Sequence, residues 1–172
     1  MPVPEPYPVK AARAAFAVAA AYLLAAAWLL VACVLAVPSA ACAGSRDEVA
    51  GATMQWAQAI AADDPDQVVA LYADDAVLWG TLSPVVRADR AAVRDYFVAA
   101  FKALPGLKVE FGNQLIRLYG DTAVNTGSYT FSYLKDGQPR SLPARYSFTY
   151  VRRGERWLIV DHHSSAMPAL AN

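Results

Sequence analysis

Cysteine is almost absent from this 172-residue chain, and both copies, Cys33 and Cys42, lie near its start. No cysteine follows Cys42, so a domain built from the remainder carries no disulfide, whatever the redox state of its compartment. Histidine is as scarce: His162 and His163 are the only two, side by side. Neighbours on a strand point to opposite faces, so this pair does not share one metal ion, and no other ligand set sits beside it. No metal and no cofactor is expected. Basic clusters are missing too. Residues 1–43 hold Lys10, Arg13 and Glu5; without them, 13 basic and 14 acidic side chains remain of the 15 and 15 in the chain, with no basic block or stripe. That excludes the usual electrostatic footprint of a nucleic-acid binder.

Charge is wholly missing from Ala14 to Val37, which read AAFAVAAAYLLAAAWLLVACVLAV. Lys10 and Arg13 precede this run and the small-residue patch PSAACAGS follows it. A basic start, an apolar middle and small residues at a cut site make the order of a secretory signal. The middle is longer than the ~7–15 residues usual there, so a membrane anchor is the rival reading. Residues 1–43 are therefore expected to be a signal peptide or membrane anchor, cut after Ala41 or Ala43 if cleaved, and residues 44–172 the domain. The protein would be exported, periplasmic or secreted. It would be tethered if residues 14–37 stay in the membrane or if Cys42, in the lipobox-like Ser-Ala-Ala-Cys, is lipidated.

The rest of the chain alternates clear helix and strand signals. Ser45 and Glu48 have capping-box spacing, and Val49, Thr53, Trp56 and Ile60 recur on one face, predicting a helix from about Ser45 to Ala62. Asp64-Pro65 opens a short second helix carrying Val68, Val69, Leu71 and Tyr72. AVLWG, Ala76 to Gly80, reads as a short strand, and Asp89 to Leu104 as a third helix stopped by Pro105-Gly106. Four strand-like segments follow, Lys108–Leu118, Ala123–Leu134, Ser141–Val151 and Arg156–Ser164, separated by turns at Gly120, Gly137 and Gly154. Helices ahead of an antiparallel meander indicate an α+β fold with helices on one face of a curved sheet.

The segments WAQAIAADDPDQVVALYADDAVLWGTLSP, RADRAAVRDYF, ARYSFTYV and RWLIVDHHSSAMP together resemble the nuclear transport factor 2-like superfamily. Within it they are most similar to bacterial relatives of the calcium/calmodulin-dependent protein kinase II association domain. The resemblance covers about Asp47 to Pro168. It implies a cone in which three helices cover the concave side of a strongly curved sheet and enclose a pocket. It also implies self-association into a homodimer or larger ring. No kinase motif is present.

Some superfamily members are isomerases. Their oxyanion-donor tyrosine falls here on Trp56, and their general-base aspartate on Gly80, which cannot take a proton. That argues against an enzyme of that type. An isomerase, dehydratase or cyclase with His162 as base and Trp56 or Tyr129 as donor stays the alternative. The octet DHHSSAMP gathers His, Ser and Asp, but strand alternation puts Asp161 and His163 on one face and His162 and Ser164 on the other. Asp161 with His163 is expected to make an ion pair or polar contact on a dimer face. In the association domain two basic pocket residues stand at the places of Ser164 and Tyr129, so the resemblance leaves Arg145 as the remaining cation. Arg145 facing the pocket would fork onto a carboxylate; facing out, it would pair with an acid on a partner subunit. The faces of its strand carry Arg145, Ser147 and Thr149, or Tyr146, Phe148 and Tyr150, and the sequence does not say which is concave.

The expected pocket residues are Trp56, Tyr72, Trp79, Tyr96, Tyr129, Arg145, His162 and Ser164, and the resemblance implies that Trp79 and Tyr129 sit near the mouth. The expected function is an exported domain that binds a small apolar or carboxylate-bearing molecule, assembles with copies of itself, or both.

Overall fold

A computed structural model of the protein describes residues 45–169. The leader proposed for residues 1–43 lies outside the described residues. Helix α1, Arg46–Ala61, starts where Ser45 Oγ accepts from the Glu48 backbone N–H at 3.1 Å. Asp47 and Glu48 favour its positive end. Val49, Thr53, Trp56 and Ile60 form its buried face at the spacing of successive turns. Asp63, in the left-handed region at φ 57°, turns the chain out of the helix. Asp64 then caps α2, Pro65–Val69, accepting from the Asp66 and Gln67 backbone N–H groups.

The second helix is shorter than its apolar pattern suggests. Ile159 N–H donates to the Leu71 carbonyl at 2.9 Å, which draws the chain into the sheet just after α2. Tyr72 therefore opens strand β1, Tyr72–Trp79, instead of closing a helix, and the strand begins four residues before Ala76. Helix α3, Arg90–Ala103, is capped by Asp89 and lies against β1 and α2. Strands β2, Lys108–Tyr119, β3, Thr122–Lys135, β4, Gln138–Arg153, and β5, Arg156–Ala166, follow.

The sheet order is β1-β5-β4-β3-β2, antiparallel except for the parallel β1–β5 pair. Register breaks between Phe111 and Gln114 and between Thr149 and Tyr150 mark bulges that increase the bend of the sheet. The fold is α+β, with the helices gathered on one side of a strongly curved sheet, as the sequence pattern implies. α1 crosses over β2 and β5. Trp56 sits at the centre of the core beneath it, ringed by Phe97, Phe111, Tyr129, Phe148 and His162 at centroid distances of 5.3–6.5 Å.

The face question on β4 is decided by burial. Tyr146, Phe148 and Tyr150 point inward, while Arg145 is exposed and Ser147 and Thr149 are half-buried on the outer side. A buried polar net supports the far end of the interior. Asn125 donates to Thr53 Oγ1 at 3.0 Å and to Gln114 Oε1 at 2.8 Å, and accepts from Tyr146 OH. Thr53 Oγ1 also meets Tyr150 OH at 2.9 Å. No buried side-chain N or O among the described residues lacks a partner, so this net lets polar atoms sit inside the core without the cost of an orphaned group.

Candidate functional site

Between α1, α3 and the concave sheet lies a cavity of about 80 Å³. Its walls are mostly apolar: Ile60 from α1, Phe97 and Ala100 from α3, Leu104 just after it, and Leu78 and Phe131 from β1 and β3. The polar side chains in the lining are Trp56, Thr81, Tyr96, Tyr129, His162 and Ser164.

His162 reaches this position because β5 lies between β1 and β4, with Leu78 and Phe148 as its register partners. The imidazole stacks on Phe148 at 4.0 Å between ring centres and takes the Trp56 ring edge-on at 5.3 Å. Burial, with a smaller contribution from neighbouring His163, holds the His162 pKa down to about 3, so the ring is neutral at ordinary pH. Its tautomer follows from its partners. Trp56 Nε1–H donates to Tyr72 OH at 3.1 Å, and Tyr72 OH lies 2.8 Å from His162 Nδ1. Burial pushes the Tyr72 phenol well above its ordinary pKa, so it keeps its own proton. That proton has Nδ1 as its acceptor. His162 consequently carries hydrogen on Nε2, the nitrogen that faces Tyr129 OH at 3.5 Å.

The chain continues on the other side. Tyr129 OH, also pushed up by burial, donates to Ser164 Oγ at 2.6 Å. Ser164 Oγ is in close hydrogen-bond contact with Thr81 Oγ1. Thr81 also hydrogen-bonds Tyr129, so Trp56, Tyr72, His162, Tyr129, Ser164 and Thr81 form one connected set of neutral polar groups running from the core behind His162 to the cavity wall.

Five expected pocket residues are brought together here: Trp56, Tyr96, Tyr129, His162 and Ser164. Three are not. Tyr72 is buried behind His162 and supports it without joining the lining. Trp79 pairs in register with His163, so alternation along β1 turns it outward and Leu78 inward; its ring is 45% exposed. Arg145 lies on the outer face, where its Nε–H donates to Ser165 Oγ at 3.1 Å. A carboxylate fork inside the cavity therefore has no cation behind it among the described lining residues. Asp161 and His163 share that outer face. Asp161, raised by partial burial and opposed by the charge of His163, makes no ion pair with it among the described residues.

Thr81 escaped the sequence reading. The signal for it was its place immediately after β1, next to Gly80, where the strand empties into the cavity mouth. Gly80 itself has a geometric reason to be glycine: a Cβ there would run into the Tyr96 ring. The space a side chain at position 80 would take is thus filled by the Tyr96 phenol ring from α3.

The model of the calcium/calmodulin dependent protein kinase II association domain matches residues 45–168. The chain belongs to this family. A solved structure named for the same association domain, from Xanthomonas campestris, is 40% identical over 74% of this chain and 91% of its own, with a TM-score of 0.69. A protein named as a dehydratase of the NTF2-like family, from Streptomyces avermitilis, has a TM-score of 0.65 at 16% identity, over 72% of this chain and 97% of its own. One named as a scytalone dehydratase, from Novosphingobium aromaticivorans, has 0.64 at 14% identity, over 71% and 83%. These last two share the nuclear transport factor 2-like fold with the association-domain chain; their names say nothing of its chemistry. No curated protein matches it.

Proposed function

We propose that this association-domain chain binds a compact, mostly apolar organic molecule in the concave cavity. The observation that carries the reading is the cavity itself, a partly open, mostly apolar chamber with a short row of fixed polar groups, the usual build of a small-molecule site. The lining supplies no carboxylate, lysine or cysteine among the described residues, and His162 holds its Nδ1 lone pair against Tyr72. The arrangement suits recognition better than proton abstraction. A thermal-shift screen of compact ketones, alcohols, esters and carboxylic acids tests it. A ligand at a hundredfold excess over its Kd should raise Tm by roughly 10 °C. Ala100→Phe, which fills the cavity, should abolish that rise. A screen in which nothing stabilises the protein, or in which Ala100→Phe responds like the wild type, sinks the reading.

Self-association through the outer sheet face is a second part of the proposal, favoured by one arrangement of residues. Trp79, His163, Ser147, Thr126 and Leu115 form a row across all five strands. Exposed Trp79 and Leu115 stand at its ends. Arg145 and Asp161 lie on opposite sides of this row, on β4 and β5. A two-fold axis running across the strands would set Arg145 of one copy against Asp161 of the next, an isologous and charge-matched contact. Light scattering should give at least a dimer at micromolar concentration. Arg145→Asp should weaken it about tenfold or more, and adding Asp161→Arg should restore it. A wild-type monomer overturns this part. Export, supported by the leader-like order of residues 1–43, completes the reading.

A further inference from the structure

Three hydroxyls on the cavity wall close into a ring. Tyr129 OH donates to Ser164 Oγ at 2.6 Å, Ser164 Oγ meets Thr81 Oγ1, and Thr81 hydrogen-bonds Tyr129. Three hydrogens serve three contacts, so each hydroxyl donates once and accepts once. The ring runs from Tyr129 to Ser164 to Thr81 and back. The groups behind it are committed as well: Trp56 Nε1–H goes to Tyr72, the Tyr72 hydrogen to His162 Nδ1, and the His162 Nε2–H to Tyr129. Lone pairs are what remains. A hydroxyl oxygen can accept twice, and the Tyr129 oxygen is taken up by Thr81 and, more loosely, by His162 at 3.5 Å. Ser164 Oγ and Thr81 Oγ1 each accept once within the ring, so each keeps one lone pair, and both residues line the cavity.

We propose that the ligand of this cavity presents an uncharged hydroxyl, carried on an apolar frame, that donates to the free lone pairs of Ser164 Oγ and Thr81 Oγ1. This rests on the cavity being a ligand site and names the group that the ligand brings. An alcohol keeps every hydrogen bond of the ring and adds one. A ketone brings lone pairs alone; to be served by the ring it must take a hydrogen out of one of the three contacts, and that contact is lost. Whatever the Tyr96 hydroxyl or the loosely held His162 Nε2–H offers to a ligand oxygen, an alcohol and a ketone accept alike, so neither group decides between them. An ammonium group would also donate, but it enters as a charge, and no carboxylate lines the cavity among the described residues. Burying a cation without an anion costs far more than the lone pairs of two hydroxyls return.

The test uses the full-length chain and three probes of one size: cyclohexanol, cyclohexanone and cyclohexylammonium, with binding measured by calorimetry or ligand-observed NMR. The alcohol is expected to bind about 5–10-fold tighter than the ketone, the worth of one hydrogen bond. It should bind roughly 100-fold tighter than the ammonium. Two ring variants supply a readout that a general loosening of the site would not. Thr81→Val leaves Tyr129 donating to Ser164 and sets the Ser164 hydrogen free. Ser164→Ala leaves Tyr129 and Thr81 with two hydrogens for one contact. Each change turns the wall from acceptor to donor, so each should bring ketone affinity up to that of the alcohol or above it. An alcohol that binds no tighter than the ketone in the wild type, an ammonium that matches the alcohol, or an alcohol-to-ketone ratio that neither variant lowers overturns the inference while leaving a ligand site in place. Failure of all three probes, together with a silent thermal-shift screen, removes the ligand site and the inference with it.

Discussion

Trp56→Ala is expected to destabilise the protein by about 3–5 kcal/mol, the range for deleting a buried large aromatic. The indole is almost fully buried and touches five rings from α3, β2, β3, β4 and β5. Its removal forfeits the transfer energy of those atoms and leaves a hole that helix α1 cannot close without losing its register on the sheet. It also deletes the N–H that orients Tyr72, and through Tyr72 the His162 tautomer. A domain of this size has only about 5–15 kcal/mol in hand, so the variant should unfold at a much lower denaturant concentration. Trp56→Phe keeps most of the apolar surface and should cost about 1–2 kcal/mol. Urea unfolding midpoints, read at constant m, separate the two. A Trp56→Ala midpoint within about 1 kcal/mol of wild type would show that the aromatic cluster does not organise this core.

The second large effect is on acid stability and runs through His162. Its pKa is held down to about 3 in the fold, against 6.5 for the free side chain. Between those values the unfolded chain binds a proton that the native ring refuses, so native stability rises with pH and levels off above about 6.5. The slope from this one group is about 1.4 kcal/mol per pH unit. Asp161, raised by partial burial, acts in the opposite sense as pH rises through its folded pKa, which is why a difference between variants is the quantity to measure. His162→Gln can still accept from Tyr72 and carries no titrating group. Going from pH 6.5 to pH 5, the wild type should lose about 2 kcal/mol more than His162→Gln. His163→Gln, on the exposed side of the strand, should leave most of that loss in place. Parallel stability profiles for wild type and His162→Gln would refute the buried neutral imidazole.

The amino-acid sequence was enough for the order of elements and for most of their ends. The caps at Ser45, Asp64 and Asp89, the stop at Pro105-Gly106 and the glycine turns at 120, 137 and 154 are all local, each satisfying backbone groups within a few residues. The α+β class followed from them. Alternation in DHHSSAMP also separated His162 from His163, because that rule needs only a strand. What lay beyond the sequence were the relations between elements. Tyr72 reads as helical until the Leu71 carbonyl finds Ile159, 88 positions away in the sheet. Trp79 and Arg145 look like pocket residues until the β1–β5 and β4–β5 registers send them outward. Arg145 and Tyr146 are equally plausible inward residues on a strand considered alone; only the helices laid on one side of the sheet make one face concave. The same holds for the hydrogen-bonded line from Trp56 to Thr81. Its members come from α1, β1, β3, β5 and the loop after β1, and no spacing along the chain foretells it. Local rules bind neighbours in sequence, so they set helices, strands and turns. The cavity is made where distant strands choose their register, and tertiary structure alone decides that.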